Sequence, residues 1–236
     1  MITREAIVLA GGLGSRLRDL LPGIPKCMAP VKGKPFLTYI LDYLSGQKID
    51  KVILSVGYRK DQIISHFGNN YENLSIEYSI ENEPLGTGGA VKLSFNYCKQ
   101  DNVFVLNGDT YFLPELKEME EMYFQTTADV TIAVKEMADT GRYGRIMTDK
   151  DTRITDFREK DPITTRGWIN GGIYLLNRKI FDALPEQKFS LENDVFRKSC
   201  SKFNMQAYQT DAFFLDMGIP DDYIHAQTLI PAPGEE

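Results

Sequence analysis

The stretch VLAGGLGSRLRDLLPGIPKCMAPV, residues 8–31, sets Gly11, Gly12 and Gly14 shortly before Arg16 and Lys26. Glycines at a strand end let backbone N–H groups approach a base or a phosphate. Arg16 adds a planar fork and Lys26 a compact point charge. Two familiar phosphate loops are excluded by spacing. A Walker A loop needs Gly-Lys-Ser/Thr after a four-residue spacer, and no such triplet occurs here. The dinucleotide fingerprint needs a third glycine opening a helix, and Leu17 holds that place between Arg16 and Arg18. The loop is anion-oriented but of another kind.

The second set of reactive groups is acidic. Asp109 closes the apolar run VLNGD after Asn107 and Gly108, and Asp216 closes AFFLD just before Gly218. A lone strand-terminal carboxylate serves equally as a cap or turn residue. Two carboxylates at one rim, together with substrate phosphates, make a normal magnesium arrangement, because the ion keeps octahedral oxygen ligation and several waters. Transition-metal chemistry is not indicated. His66 and His225 lie far apart on helix-like segments, and Cys27, Cys98 and Cys200 are an odd number without metal-site spacing. With no signal peptide or long apolar span, these thiols suggest a reduced, cytoplasmic protein.

The elements that must position these groups follow from composition and periodicity. The 236 residues, 42% hydrophobic and 25% charged, suit one globular domain with a large core. A net charge of −6 argues against nucleic acid or a membrane surface as partner, so an anionic ligand must meet a local basic cluster. Strand-like runs at 6–11, 51–56, 74–80, 102–109 and 129–134 alternate with helix-like segments at 36–47, 60–68, 86–98 and 113–124, with Pro114 in the first turn of the last. This rhythm predicts an α/β, Rossmann-like fold: a mostly parallel central sheet with helices on both faces and its ligand at the carboxyl ends of the strands. The second half reads as a small α+β lid. It holds a hairpin over 143–160 with Asp149–Asp151 at its tip, a strand INGGIYLL, a helix around SLENDVFRKSC, one strand AYQTDAFFLD and a closing helix PDDYIHAQTLI. The tail PAPGEE is expected to be loose.

Taken together, LAGGLGSRLR…PKCMAPV, ENEPLGTGGA, VLNGD, FREK, INGGIYLL and FLDMGIPDDY resemble, in order, the blocks of the sugar-1-phosphate nucleotidyltransferase family. The similarity runs from residue 5 to about 227, and several ordered blocks are far more specific than any one of them. The resemblance implies a single nucleotidyltransferase domain over 1–236 with a GT-A-like fold, its nucleotide-binding half about 1–135 and its sugar-binding half about 136–230. It implies that a nucleoside triphosphate and a sugar 1-phosphate give a nucleotide sugar and pyrophosphate. By the same resemblance Arg16 binds the β- and γ-phosphates, Lys26 neutralises the reacting phosphates, and Asp109 and Asp216 hold Mg2+. Leu9, Ala10, Gly11, Gly12, Gly14, Ser15, Gly86, Asn107 and Gly108 complete the nucleotide side.

Within the family the resemblance is to the branch that joins GTP to D-glycero-α-D-manno-heptose 1-phosphate, near the branch acting on mannose 1-phosphate. Its product is a GDP-sugar for capsule or cell-surface glycan. Glu81 matches the base-reading position, with Glu83 as fallback. A carboxylate there can accept together from guanine N1–H and the exocyclic amine, but could also accept from a pyrimidine N3–H. Sugar contacts are implied for Gly144, Glu159, Lys160, Asn170 and Gly171. Lys160 could also touch the sugar phosphate, REK could be a solvated charge run, and Asn170 could be a turn residue. Glu192 is a sugar-side candidate or a helix N-terminal acid.

Ser15 replaces the family's threonine and keeps the hydroxyl, and Cys27 stands where an apolar residue is common and is read as packing. Any oligomer, such as a homodimer, would use the domain's own surface. The competing readings are the same chemistry with mannose and GTP, or with UTP or dTTP and a hexose phosphate, and a non-catalytic nucleotide-sugar sensor. A glycosyltransferase would want an Asp-x-Asp metal triplet, and the chain's one such triplet, Asp149-Lys150-Asp151, falls at the hairpin tip.

Overall fold

The computed structural model describes residues 3–12, 14, 17, 20–158, 165–182, 184 and 188–230. From the first strand, β1 (Glu5–Leu9), the chain passes to a short ribbon of β2 (Pro30–Val31) and β3 (Lys34–Pro35), then α1 (Phe36–Gly46), β4 (Lys51–Val56) and α2 (Lys60–Phe67). There follow β5 (Asn70–Tyr71), β6 (Leu74–Ile80), α3 (Gly86–Ser94), β7 (Asn102–Asn107), β8 (Thr110–Phe112) and α4 (Leu116–Gln125). β1, β4 and β7 are buried along nearly their whole length, as parallel strands covered on both faces must be. α1 folds as a helix because Phe36, Leu37, Ile40, Leu41 and Leu44 recur at helical spacing and all turn inward.

The second half supplies β9 (Val130–Met137), β10 (Arg145–Thr148), β11 (Ile154–Arg158), β12 (Gly167–Asn177), a π-helical turn over Leu191–Phe196 that runs into α5 (Arg197–Ser199), β13 (Met205–Thr210), β14 (Phe214–Asp216) and α6 (Pro220–Leu229). Its long strands enter the same sheet. β12 runs antiparallel between β7 and β9, and its first residues pair with β10 of the hairpin. β13 lies parallel to β9, and β1, β4, β6 and β7 form the parallel centre.

Alternation along β1 divides the core. Ala6 and Val8 pack with residues of α1, α2, α4 and α6, whereas Ile7 faces α3 and the 189–196 segment. Register sets the carboxyl ends side by side, with Leu9 opposite both Ser55 and Asn107. Among the described residues no helix is long and apolar enough to cross a membrane.

Three local readings change. AYQTDAFFLD is two strands: β13 stays in the main sheet, while Ala212 N–H bonds to Thr210 Oγ1 (3.2 Å) in the turn that lets β14 leave and pair with β8. Pro114 lies outside α4, because Glu115 is extended at the cap and the helix opens at Leu116, whose N–H is taken by Gln47 Oε1 at 2.9 Å. The helix around 190–200 opens in π form, capped by the Ser190 side chain accepting from Asn193 N–H.

Candidate functional site at the carboxyl ends of the sheet

A cavity of about 680 Å³ opens over the carboxyl ends of β1, β4 and β7. Leu9, Ala10, Gly11, Gly12, Gly14, Lys26, Glu81, Gly86, Asn107, Gly108, Asp109 and Glu192, all expected at a site, line this one space, as does the fallback Glu83. Ser15, Arg16, Glu159 and Lys160 lie outside the described residues.

One wall is built around Glu81. Its N–H continues the β-ladder to Val56 O, while Oε1 accepts from Ser55 Oγ (3.3 Å) and Oε2 from Leu85 N–H (3.0 Å). A Cβ on Gly11 would stand 2.8 Å from Glu81 Oε1, so the glycine makes room for the carboxylate beside the backbone of β1. A carboxylate has about four lone-pair sites, so Glu81 retains acceptor capacity for a ligand. Glu192 accepts from Thr87 Oγ1 at 2.6 Å and from Ser190 Oγ at 2.9 Å, which places it against the start of α3 on the same side as Gly86. Its partners there are a helix start and a cap.

The opposite rim carries the charges. Lys26 sits on a 3-10 turn, Lys26–Met28, and its Nζ donates to Asp109 Oδ2 at 2.6 Å while the lysine side chain is only 12% exposed. β14 pairs with β8 so that Asp216 is opposite Thr110, and Met217 N–H donates to Asp109 O at 3.0 Å. This pairing brings the second carboxylate to the first. Burial, then the charge of Asp109, push the Asp216 carboxyl up to about 6. Lys26 and Arg142 pull the other way without offsetting the burial and the charge of Asp109. Among the described residues no group of three or more His, Cys, Asp or Glu converges to hold an ion. Two adjacent carboxylates could hold a divalent cation only if its other ligands came from substrate phosphates and water.

Of the other sugar-side candidates, Gly144 lies just before β10, and Asn170 and Gly171 lie on β12. Asn170 N–H donates to Gly144 O at 2.7 Å, so these two meet, although Gly144 and Gly171 are buried and neither lines the cavity. The Asn170 side chain is engaged within its own strand, Oδ1 accepting from Gly172 N–H (3.0 Å) and Nδ2 donating to Tyr174 OH (2.8 Å). It shapes the bulge at Gly171–Gly172 as a turn residue would. Gly172 adopts φ +76, and a Cβ there would meet Asn107 Nδ2 at 2.6 Å, so this bulge fixes the end of β7.

The remaining candidates are structural. Cys27 Sγ lies 3.7 Å from Ala10 O, and burial pushes its thiol up to about 12, as packing requires and a nucleophile would not. Asp149 Oδ1 accepts from Asp151 N–H (2.9 Å) and Arg153 N–H (3.0 Å), closing an exposed turn. His66 and His225 are exposed, the former edge-on to Phe67. Sequence reasoning missed Gly57 and Tyr58, which line the cavity from the end of β4, and Thr87 beside Gly86. The strand-end rule applied to SVGY would have found the first two.

The cavity opens at the carboxyl ends of the parallel strands, the β14–β8 pair brings Asp216 in beside Asp109, and the chain belongs to the nucleotidyl transferase family, whose model matches residues 5–232. Over 94% of its length it is 48% identical to D-glycero-alpha-D-manno-heptose 1-phosphate guanylyltransferase of Aneurinibacillus thermoaerophilus, of which it covers 96%. It is 41% identical to the protein of the same name from Campylobacter jejuni, over 94% of this chain and 97% of that one. HddC from Yersinia pseudotuberculosis has the same fold, with a TM-score of 0.85 and 38% identity over 95% of this chain and 98% of that one, and HddC has also been solved in complex with GMP-PN.

Proposed function

We propose that this protein transfers GMP from GTP to D-glycero-α-D-manno-heptose 1-phosphate, giving GDP-heptose and pyrophosphate for capsule or surface polysaccharide synthesis in the cytoplasm. The observation that carries this reading is near full-length identity of 48% to a relative named for that reaction. The nucleotide half, about 1–135, binds GTP, and the half over about 136–230 binds the sugar phosphate.

An oxygen of the sugar phosphate attacks the α-phosphorus in line, a new P–O bond forms, and the bond to the β-phosphate breaks. This step needs positioning and neutralised charge rather than a covalent nucleophile. Arg16 holds the β- and γ-phosphates. Lys26 exchanges its Asp109 partner for the reacting phosphates. Asp109 and Asp216 would hold Mg2+, which when bound would supply positive charge against the phosphates in the transfer. Glu81 accepts from guanine N1–H and the exocyclic amine, while Leu9, Ala10, Gly11, Gly12, Gly14, Ser15, Gly86, Asn107 and Gly108 offer close backbone. Gly144, Glu159, Lys160, Asn170, Gly171 and Glu192 form the sugar side.

The test is pyrophosphate release by purified protein with magnesium, each of four nucleoside triphosphates and heptose, mannose or glucose 1-phosphate. Turnover is expected with GTP and the heptose phosphate. No release in any combination would sink the enzymatic reading, and selective turnover with UTP would reject guanine as the base.

A further inference from the structure

An ion pair outside the reacting set joins two parts of the chain that the reaction must keep together. Arg142, in the turn between β9 and β10, directs both Nη atoms at Asp222 in the first turn of α6. Nη1 stands 3.5 Å from Oδ1, and Nη2 donates to Oδ2. The Asp222 side chain is 15% exposed and that of Arg142 48%, so the bridge is anchored at the less accessible end. The guanidinium carbon also lies 5.6 Å from the centre of the Tyr143 ring. That ring meets Phe214 edge-on, at 5.7 Å and 77°. Phe214 is the first residue of β14 and Asp216 the last. Asp216 feels the charges of both Arg142 and Asp222.

The sequence positions give this contact its meaning. Arg142 is two residues before Gly144, on the sugar side, and Asp222 is six residues after Asp216, on the metal side. A single exposed ion pair contributes little to overall stability. A two-pronged guanidinium–carboxylate contact backed by an aromatic face instead fixes orientation.

We propose that Arg142 is a positioning residue whose bridge to Asp222 holds the Gly144 loop in register with the strand that carries Asp216, and so sets the approach of the sugar phosphate to the α-phosphorus. This rests on the guanylyl-transfer reading of the same site. Misplacement by about 1 Å far from the reacting atoms is enough to lower a rate about a hundredfold. Arg142→Ala and Asp222→Asn are therefore expected to lower kcat/KM for D-glycero-α-D-manno-heptose 1-phosphate by about 10- to 100-fold. KM for GTP stays within about twofold, as for a contact that leaves the nucleotide half untouched. Arg142→Lys keeps the charge without the fork and falls between wild type and Arg142→Ala.

A second arm needs no turnover. Amide hydrogen exchange of residues 139–146 in the substrate-free protein should be about tenfold faster in both variants, because local opening is governed by local contacts. Unchanged exchange overturns the bridge whether or not the wild type transfers GMP. Faster exchange with an unaltered kcat/KM reduces the pair to a structural tie and overturns the positioning role. An inactive wild type overturns the functional reading itself, and the positioning role that rests on it.

Discussion

Asp216 is held in a state that a solvent-exposed aspartate would not adopt, and the consequence is measurable without substrate. Burial, and after it the charge of Asp109, push its carboxyl up from the usual 3.8 to about 6. The folded protein thus retains this proton more tightly than the unfolded chain. Ionising Asp216 costs native stability as pH rises from about 4 to 6, and the cost is complete above about 6. At 1.36 kcal/mol per unit the effect reaches at most about 3 kcal/mol. In metal-free protein, Asp216→Asn should raise the unfolding free energy by about 1–3 kcal/mol at pH 8 and leave it nearly unchanged at pH 4, as read from urea titrations at both values. On the proposed metal role, the same variant, like Asp109→Asn, should lose at least about a hundredfold in turnover, because a carboxylate that would hold the cation is gone. Variants that are active at wild-type rate would overturn the metal assignment. Glu81→Gln replaces one of the carboxylate's two acceptor oxygens with a donor, which would oppose one of the two donors of the proposed guanine. It should lower kcat/KM for GTP by about 10- to 100-fold while leaving the low rate with UTP nearly untouched, which the nucleotide grid measures directly.

Among the elements, the end of β7 is tightly constrained. Gly108 N–H donates to Leu9 O at 3.0 Å, and a Cβ on Gly108 would stand 2.5 Å from that same oxygen. The bulge of β12 presses from the other side, with Gly172 against Asn107. The carboxylate of Asp109 is aimed by two backbone approaches that admit no side chain. Gly172→Ala combines a left-handed φ with a clash against Asn107, and should cost about 2–4 kcal/mol. A thermal melt of the variant showing no loss would mean that the bulge relaxes freely and does not position β7.

For the molecule as a whole, β12 couples the two halves. It lies between β7 and β9, and Ile173 and Leu175 join the core under α1 while Tyr174 and Leu176 join the one under α3. A fragment ending at residue 137 keeps the glycine loop and Asp109 but leaves the edge of β7 unpaired and both cores open. It is expected to show no cooperative unfolding transition by circular dichroism and to aggregate, as an exposed apolar strand edge does. A cooperative melt from that fragment would show the nucleotide half to be independent.

Much of this site was legible in the order of residues. Parallel strands declare themselves as apolar runs, their carboxyl ends are where ligands bind, and so Leu9–Gly12 and Asn107–Asp109 could be named as candidate site segments before any coordinates. Helices such as α1 follow from their own spacing. These are signals carried inside one element. The departure of β14 from the run it shares with β13, the binding of Glu192 to Thr87 and the meeting of Arg142 with Asp222 carry no such signal. A three-residue strand has too little periodicity to announce its partner, and a charge has no neighbour until distant segments pack. The chain order thus names the chemical groups and the strand ends that bear them. Long-range pairing and burial settle which of those groups face one another, and at what pKa.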